Sequence, residues 1–258
     1  MTPLTEVRSK HIRELLRNAR ARRGDSEFVI EGPHLIEAAL DKAPKLILYI
    51  AATSRAEMHH EHLLARAASQ QIPAYALAQK FAERISDTQE TQGMFAVLKF
   101  PSVREVRGDA IVALDGVQDP GNTGTIIRTA AWFGVEHLLL GSGTADPFAP
   151  KVVRSTQGAI FDVGLEINSD LMRRISDLAG DGWSVLAATV EETAKPVFSF
   201  KYPKKALFLF GSEARGIRPE LLEIVKDRIV IPKFGPVESL NVSASVAVVL
   251  AEFRRPKK

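Results

Sequence analysis

Leu114 to Leu140 read LDGVQDPGNTGTIIRTAAWFGVEHLLL, and this stretch decides the fold class. The apolar run that leads into it, Ile111-Val112-Ala113-Leu114, has the unbroken hydrophobicity of a strand buried on both faces of a parallel sheet. Asp119-Pro120-Gly121-Asn122-Thr123-Gly124 has the composition of a tight loop. A helical pattern then runs from Thr125 to Phe133, closes at Gly134, and gives way to a second apolar strand, Leu138 to Leu140. The whole is a strand–loop–helix–strand unit. Its loop offers backbone N–H groups at a helix N-terminus, where anions and polar ligands bind, and Arg128 sits one turn into the helix.

Outward toward the C-terminus the alternation continues. A helix started by proline spans Phe148 to Ala159, with Gly158 near its end, and an amphipathic helix spans Asp170 to Ala179. Trp183–Thr189, Ala206–Phe210 and Arg228–Ile231 read as strands. Arg218–Val225, with Pro219 near its start, and Ser239–Phe253 read as helices. That order predicts an α/β domain with a mostly parallel sheet and helices on both faces. Toward the N-terminus, strands at 28–30, 46–50, 74–77 and 93–98 alternate with helices at 10–23, 34–40, 54–70 and 80–86, which predicts a smaller α/β domain. Phe100 to Asp109 reads as a linker. Two domains follow, 1–103 and 108–258.

Composition narrows the chemistry. The 258 residues are 45% hydrophobic, enough for a proper core, and no apolar run approaches the roughly 20 residues of a membrane span. The N-terminus MTPLTEVRSK lacks an apolar secretory segment. There is no cysteine, which excludes disulfides, thiolate zinc sites and cysteine nucleophiles and fits a cytoplasmic protein. His59, His60 and His62 lie close together but without partners at metal-ligand spacing, so they read as a solvated helix face and no metal is expected. Net charge is only +3, yet base clusters at both ends. Arg8, Lys10, Arg13, Arg17, Arg20, Arg22 and Arg23 stand against Glu6 and Glu14, and the chain ends Arg254-Arg255-Pro256-Lys257-Lys258. On the expected helix 10–23, Ile12, Leu15, Leu16 and Ala19 form the apolar stripe. Arg13, Arg17 and Arg20 fall on another face, suited to phosphate contact.

Three strands of the second domain run into loops of small and polar residues: Asn122 to Arg128, Gly211-Ser212-Glu213-Ala214-Arg215-Gly216, and Ile231 to Asn241. Ligands of parallel α/β sheets bind beyond the carboxyl ends of the strands, so the three loops should converge. Singly, each has a plain reading: Asn122 or Ser239 as a helix cap, Glu213 as a surface carboxylate, Arg128 as half of an ion pair. The dinucleotide fingerprint GxGxxG, the P-loop and the Gly-x-Ser-x-Gly elbow are all absent. What remains is a group transfer that mostly needs positioning.

Together the loops resemble the three sequence motifs of the SpoU/TrmH RNA ribose methyltransferases, a branch of the knotted SPOUT class. The matching residues are Asp119 to Ala130; Phe210-Gly211-Ser212-Glu213 through Gly216-Ile217; and Ile231-Pro232, Gly235 and Ser239-Leu240-Asn241-Val242-Ser243. Lys151 to Ala159 resembles the family's connecting helix. More loosely, Lys10 to Leu40 resembles its N-terminal substrate-binding domain, similar to a ribosomal protein fold. Ala214 stands where glycine is common and Thr156 where serine is common.

The resemblance implies a deep trefoil knot in the C-terminal domain and S-adenosylmethionine as methyl donor, with Gly211, Ile231 and Leu240 at the cofactor-binding positions and Thr189 lining the pocket. It implies transfer to a ribose 2′-hydroxyl of RNA. Arg128 would act beside the hydroxyl, with Asn122, Glu213, Ser239 and Asn241 orienting Arg128 and the ribose. A guanidinium stays protonated in proteins, so Arg128 suits a phosphate clamp and a stabiliser of developing alkoxide charge better than a base. The resemblance further implies a homodimer and favours ribosomal over transfer RNA. A silent RNA-binding protein of the same fold and a small-molecule α/β enzyme are the competing readings. S-adenosylmethionine binding separates the first from a methyltransferase, and salt-dependent RNA affinity argues against the second.

Overall fold

The computed structural model describes residues 1–86, 90–191 and 193–256. Lys257 and Lys258 of the basic C-terminus lie outside the described residues. In chain order the elements are β1 (Thr2–Pro3), α1 (Glu6–Arg17), α2 (Ala19–Asp25), β2 (Glu27–Glu31), α3 (Pro33–Lys42), β3 (Ile47–Ala52), α4 (Ser54–His59), α5 (Glu61–Ser69), β4 (Ala74–Ala76), α6 (Gln79–Ile85) and β5 (Met94–Lys99). Then come β6 (Ala110–Asp115), α7 (Pro120–Trp132), β7 (His137–Gly141), α8 (Pro150–Thr156), β8 (Gly164–Ser169), α9 (Leu171–Gly180), β9 (Ser184–Ala188), β10 (Lys195–Pro196), β11 (Ala206–Gly211), α10 (Pro219–Ile224), β12 (Asp227–Val230) and α11 (Val242–Arg254). The chain divides into two units, residues 1–102 with 146–161, and 103–145 with 162 onward.

The first unit is built on a mixed sheet of order β1-β4-β3-β5-β2, with β5 antiparallel to both its neighbours. Ile12 and Leu15 of α1 pack with Val29, Tyr49, Phe95 and Val97 in its core. The expected helix 10–23 is two helices. Asn18 takes an extended backbone (φ −124°, ψ 110°), and its side chain accepts the Arg20 N–H, starting α2 afresh. Arg13 and Arg17 therefore lie on α1 and Arg20 on α2, rather than on one stripe. Arg22 is not a free cation either. It is 5% exposed, donates to the Leu15 carbonyl at 2.6 Å, and grips Asp146 through Nε and Nη2 at 2.9 and 2.7 Å. Helix 54–70 likewise breaks, at His60. The segment 146–161 falls inside 108–258 in the sequence but packs in this unit, where the Phe148 ring lies 4.0 Å from that of Phe100 and 4.8 Å from that of Phe28.

The second unit holds a sheet of order β10-β12-β9-β11-β6-β7-β8, every recorded pairing in it parallel. Its α/β architecture is the one the alternation of apolar runs and amphipathic segments predicts. Central strands β6 and β11 are buried throughout apart from Gly211, which is why they read as unbroken apolar runs. Ile111, Leu139, Leu171, Ile175, Leu207 and Leu221 form one core on this sheet. Strand β8 has no counterpart in the sequence reading: Glu166, Ile167 and Asn168 are only partly buried or exposed at the sheet's edge, so the run GLEINS lacks the apolar signature of its neighbours.

Candidate active site

The sheet order places β12, β9, β11 and β6 side by side and parallel, so their carboxyl ends face the same way. The segments leaving those ends carry the polar side chains. At the end of β6, Asp119 caps α7 by accepting the Asn122 N–H at 2.7 Å, and Pro120 occupies the first helical turn. The expected loop 120–124 is thus the opening of a helix that starts five residues earlier than Thr125. Proline with a preceding carboxylate cap stabilises a helix start, and that outweighs the two glycines. The Asp119 carboxylate also takes one of the N–H groups an anion would need, so this helix start is not a vacant anion cradle.

The same correction applies at α11. It begins at Val242, not Ser239, because Asn241 caps it: Asn241 Oδ1 accepts the N–H groups of Ser243 at 2.9 Å and Ala244 at 3.4 Å. With its oxygen committed to the cap, Asn241 turns its amide nitrogen outward and donates from Nδ2 to Asn122 Oδ1 at 3.0 Å. Asn122 in turn donates from Nδ2 to the Glu213 carboxylate. Donors and acceptors alternate without a break from the start of α11 to Glu213. One chain of hydrogen bonds ties all three loops together.

Loop 211–216 is held from below as well. Asp115, at the end of β6, is 3% exposed. A buried carboxylate needs strong donors, and Arg218 supplies two, its backbone N–H and its Nε, each at 2.8 Å. Strand pairing sets Gly211 beside Asp115. The loop then closes on itself through Ser212 and Gly216, each N–H donating to the other's carbonyl at 3.2 and 2.8 Å. A Cβ on Gly211 would lie 2.0 Å from the Gly216 carbonyl carbon, so only glycine fits there. The sequence places Asp119 in the first motif without giving it the capping role, and singles out neither Asp115 nor Arg218 for the site. An acid ending a buried strand was the available signal for Asp115.

The candidate cofactor residues fall in order along the sheet. Thr189 follows β9, Gly211 ends β11 and Ile231 follows β12, at the carboxyl ends of adjacent strands. Thr189 Oγ1 is buried without a hydrogen-bond partner among the described residues, an atom a polar ligand would satisfy. Leu240 precedes α11 and is 49% exposed. Arg128 and Ser239 are exposed and, among the described residues, make no hydrogen bond or ion pair. Arg128 lies six positions after Asn122, about 240° beyond a full helical turn, so α7 sets them on different faces. Thus Asn122, Glu213 and Asn241 are brought into contact, and Arg128 and Ser239 are not joined to them.

At the opposite, amino end of the sheet, His137 opens β7 and is 1% exposed. Burial lowers its pKa, against the opposing pull of the Glu166 carboxylate 3.8 Å away. No helix among the described residues is long and apolar enough to cross a membrane.

Comparison with known proteins gives the family and agrees with the fold. The model of the SpoU rRNA Methylase family matches residues 109–251, and that of the MRM3-like substrate binding domain matches residues 8–96. The 23S rRNA (guanosine(2553)-2′-O)-methyltransferase RlmP of Bacillus subtilis is 29% identical over 93% of this chain and 93% of its own length. Among solved structures, a TrmH-family protein from Porphyromonas gingivalis is 33% identical over 98% of both chains, with a TM-score of 0.85. An rRNA methyltransferase from Sinorhizobium meliloti, in its AdoMet-bound form, is 27% identical over 99% of this chain and 97% of its own, with a TM-score of 0.84. The chain belongs to the SpoU rRNA Methylase family.

Proposed function

We propose that this protein transfers the methyl group of S-adenosylmethionine to a ribose 2′-hydroxyl of RNA, and that the RNA is ribosomal. The observation that carries the reading is the Asn241–Asn122–Glu213 chain, which joins three motifs lying far apart in sequence into one polar surface. Residues 108–258 carry out the transfer and residues 1–103 hold the RNA, with Arg13, Arg17 and Arg20 among its phosphate contacts. The relatives' own activity on rRNA and their AdoMet-bound form support both substrate and donor.

Thr189, Gly211, Ile231 and Leu240 would hold S-adenosylmethionine. The Thr189 hydroxyl, without a partner among the described residues, fits such a ligand, which when bound supplies an electrophilic methyl group. The chain's residues then have positioning work to do. Asn122 fixes one Glu213 oxygen, leaving the other to accept from the ribose, Asn241 holds the third loop against it, and the Ser239 hydroxyl is left to orient the ribose. Arg128, without a carboxylate partner among the described residues, clamps the neighbouring phosphate and stabilises charge developing on the attacking oxygen.

Because α7 sets Arg128 and Asn122 on different faces, the site is completed across a homodimer. Two features support a second copy: Trp132 of α7 is 84% exposed, and Ala244, Ala247, Val248 and Ala251 form an incompletely covered apolar stripe along α11. A trefoil knot in the C-terminal unit and a cytoplasmic location belong to the same reading. Mapping 2′-O-methylated riboses in total RNA from cells with and without the protein tests it. One ribosomal methyl group should disappear, and identical maps would sink the proposal. A fully active monomer by sedimentation would remove the shared site.

A further inference from the structure

The first unit contains an apolar cleft of about 470 Å3, within the range of small-ligand sites. Leu4, Ser9 of α1, Leu77 and Ala78 beyond β4, and Phe81 of α6 line it. Its rim is cationic. The Arg8 guanidinium lies 4.3 Å from the centre of the Tyr75 ring, and that of Arg84 lies 5.4 Å from the centre of Phe81. Arg13 stands one turn beyond Ser9 on the same face of α1. Arg17, a turn further on, donates to the Arg84 carbonyl at 3.5 Å. Among the described residues none of these arginines has a carboxylate partner. Glu83, the acid beside Arg84, accepts from Gln79 at 2.9 Å.

An apolar slot framed by guanidinium groups is a poor match for a double helix, whose bases are stacked away. It suits a flexible single strand, which can offer a flat base to an aromatic ring while its phosphates meet the arginines. An apolar protein segment would not need the cations. We propose that this cleft takes one unpaired base of the RNA substrate, stacked on Phe81, with the flanking phosphates on Arg13, Arg17 and Arg84. The inference rests on the reading of the protein as an RNA methyltransferase and adds where, and in what form, the first unit grips its RNA. Arg8 and Arg84 already lie over rings, so part of the ordering cost of binding is met beforehand.

The test is fluorescence anisotropy of the full chain with a labelled ten-nucleotide oligouridylate and with a blunt ten-base-pair RNA duplex, over a salt series. Phe81→Leu, which keeps apolar bulk but removes the ring, should weaken single-strand binding about 5- to 100-fold and leave duplex binding unchanged. Arg13→Gln with Arg17→Gln should reduce the slope of log affinity against log salt by about 1.4, from two lost phosphate contacts. Arg84→Gln lies outside the core and decides the matter if Phe81→Leu fails to fold. Unchanged single-strand affinity in the folded variants, or an equal loss on the duplex, overturns the proposal. S-adenosylmethionine binding, measured calorimetrically on the same proteins, should stay native. Its absence from the unsubstituted protein would count against the methyltransferase reading and leave the cleft result standing.

Discussion

Asn122→Ala is the sharpest perturbation of the site, because it cuts the hydrogen-bond chain in the middle without touching a helix cap. Two bonds go. The donation from Nδ2 to the Glu213 carboxylate is charge-assisted, worth about 1.5–3 kcal/mol, and the bond accepted from Asn241 is neutral, worth about 1 kcal/mol. Glu213 is exposed and Asn122 only half-buried, so the lower end applies, about 2.5 kcal/mol together. If that energy holds Glu213 and the third loop in their working positions, turnover should fall about 10²-fold, at about 1.4 kcal/mol for each tenfold. Stability should fall by less than that sum, about 2 kcal/mol, because two features limit the loss. The cap of α7 is Asp119, and alanine is the better helix former by up to about 0.7 kcal/mol. The assay is single-turnover methyl transfer at saturating donor, with thermal unfolding as control. Glu213→Gln and the double variant complete a cycle. Residues that act as one unit are non-additive, so the double variant should be little worse than either single one. A near-native rate for Asn122→Ala, or losses that simply multiply, would refute the role given to the chain.

Arg128→Ala should abolish methyl transfer while calorimetry still finds the donor bound, since Arg128 makes no hydrogen bond or ion pair among the described residues; retained turnover would exclude it from the chemistry. Gly211→Ala drives a Cβ to 2.0 Å from the backbone of Gly216 and should cost more than tenfold in donor affinity. Gly216→Ala, with φ +68° but no atom within 4 Å of the added carbon, should cost only about 1–2 kcal/mol of backbone strain. Equal effects of the two on donor binding would mean that crowding at 211 is not what matters. The depressed pKa of buried His137 means that the unfolded chain takes up this proton more readily than the fold does. The stability it supports is complete above about pH 6.5 and is lost as pH falls toward and through its folded value. Denaturant melts should show an acid limb that His137→Leu flattens; an unaltered limb would assign it to other groups.

The sequence shows most where one physical demand acts on consecutive residues. β6 and β11 are buried on both faces, so every position but the terminal Asp115 of β6 is apolar and the strands are visible at once. β8 lies at the edge of its sheet and need not be apolar, and nothing marks it. Helix ends are legible only when the capping contest has a clear winner. Asp119 and Asn122 both qualify as caps by type, and the structure chooses Asp119 because the proline that follows fixes the first turn. Asn18 shows the reverse failure. The apolar stripe of 10–23 continues across it, but a side chain able to bond the next turn's N–H can restart a helix, and that breaks the arginine row.

The site divides along the same line. Asn122, Glu213 and Asn241 stand out because each follows a buried strand or opens a helix, and the parallel sheet brings such positions together whatever their separation in sequence. Asp115 and Arg218, 103 positions apart, are invisible as a pair: an acid ending one strand and an arginine before a proline are each ordinary. Yet the pair explains why loop 211–216 can be small and still hold its shape. A buried carboxylate takes the backbone N–H and the guanidinium of the residue that ends the loop, so the loop is anchored at both ends, by strand pairing at Gly211 and by Asp115 at Arg218. Glu213, midway between, is then placed by the fold before Asn122 reaches it. The amide chain has only to orient a carboxylate that the loop has already delivered, which is why the loss expected from cutting it is about a hundredfold rather than complete.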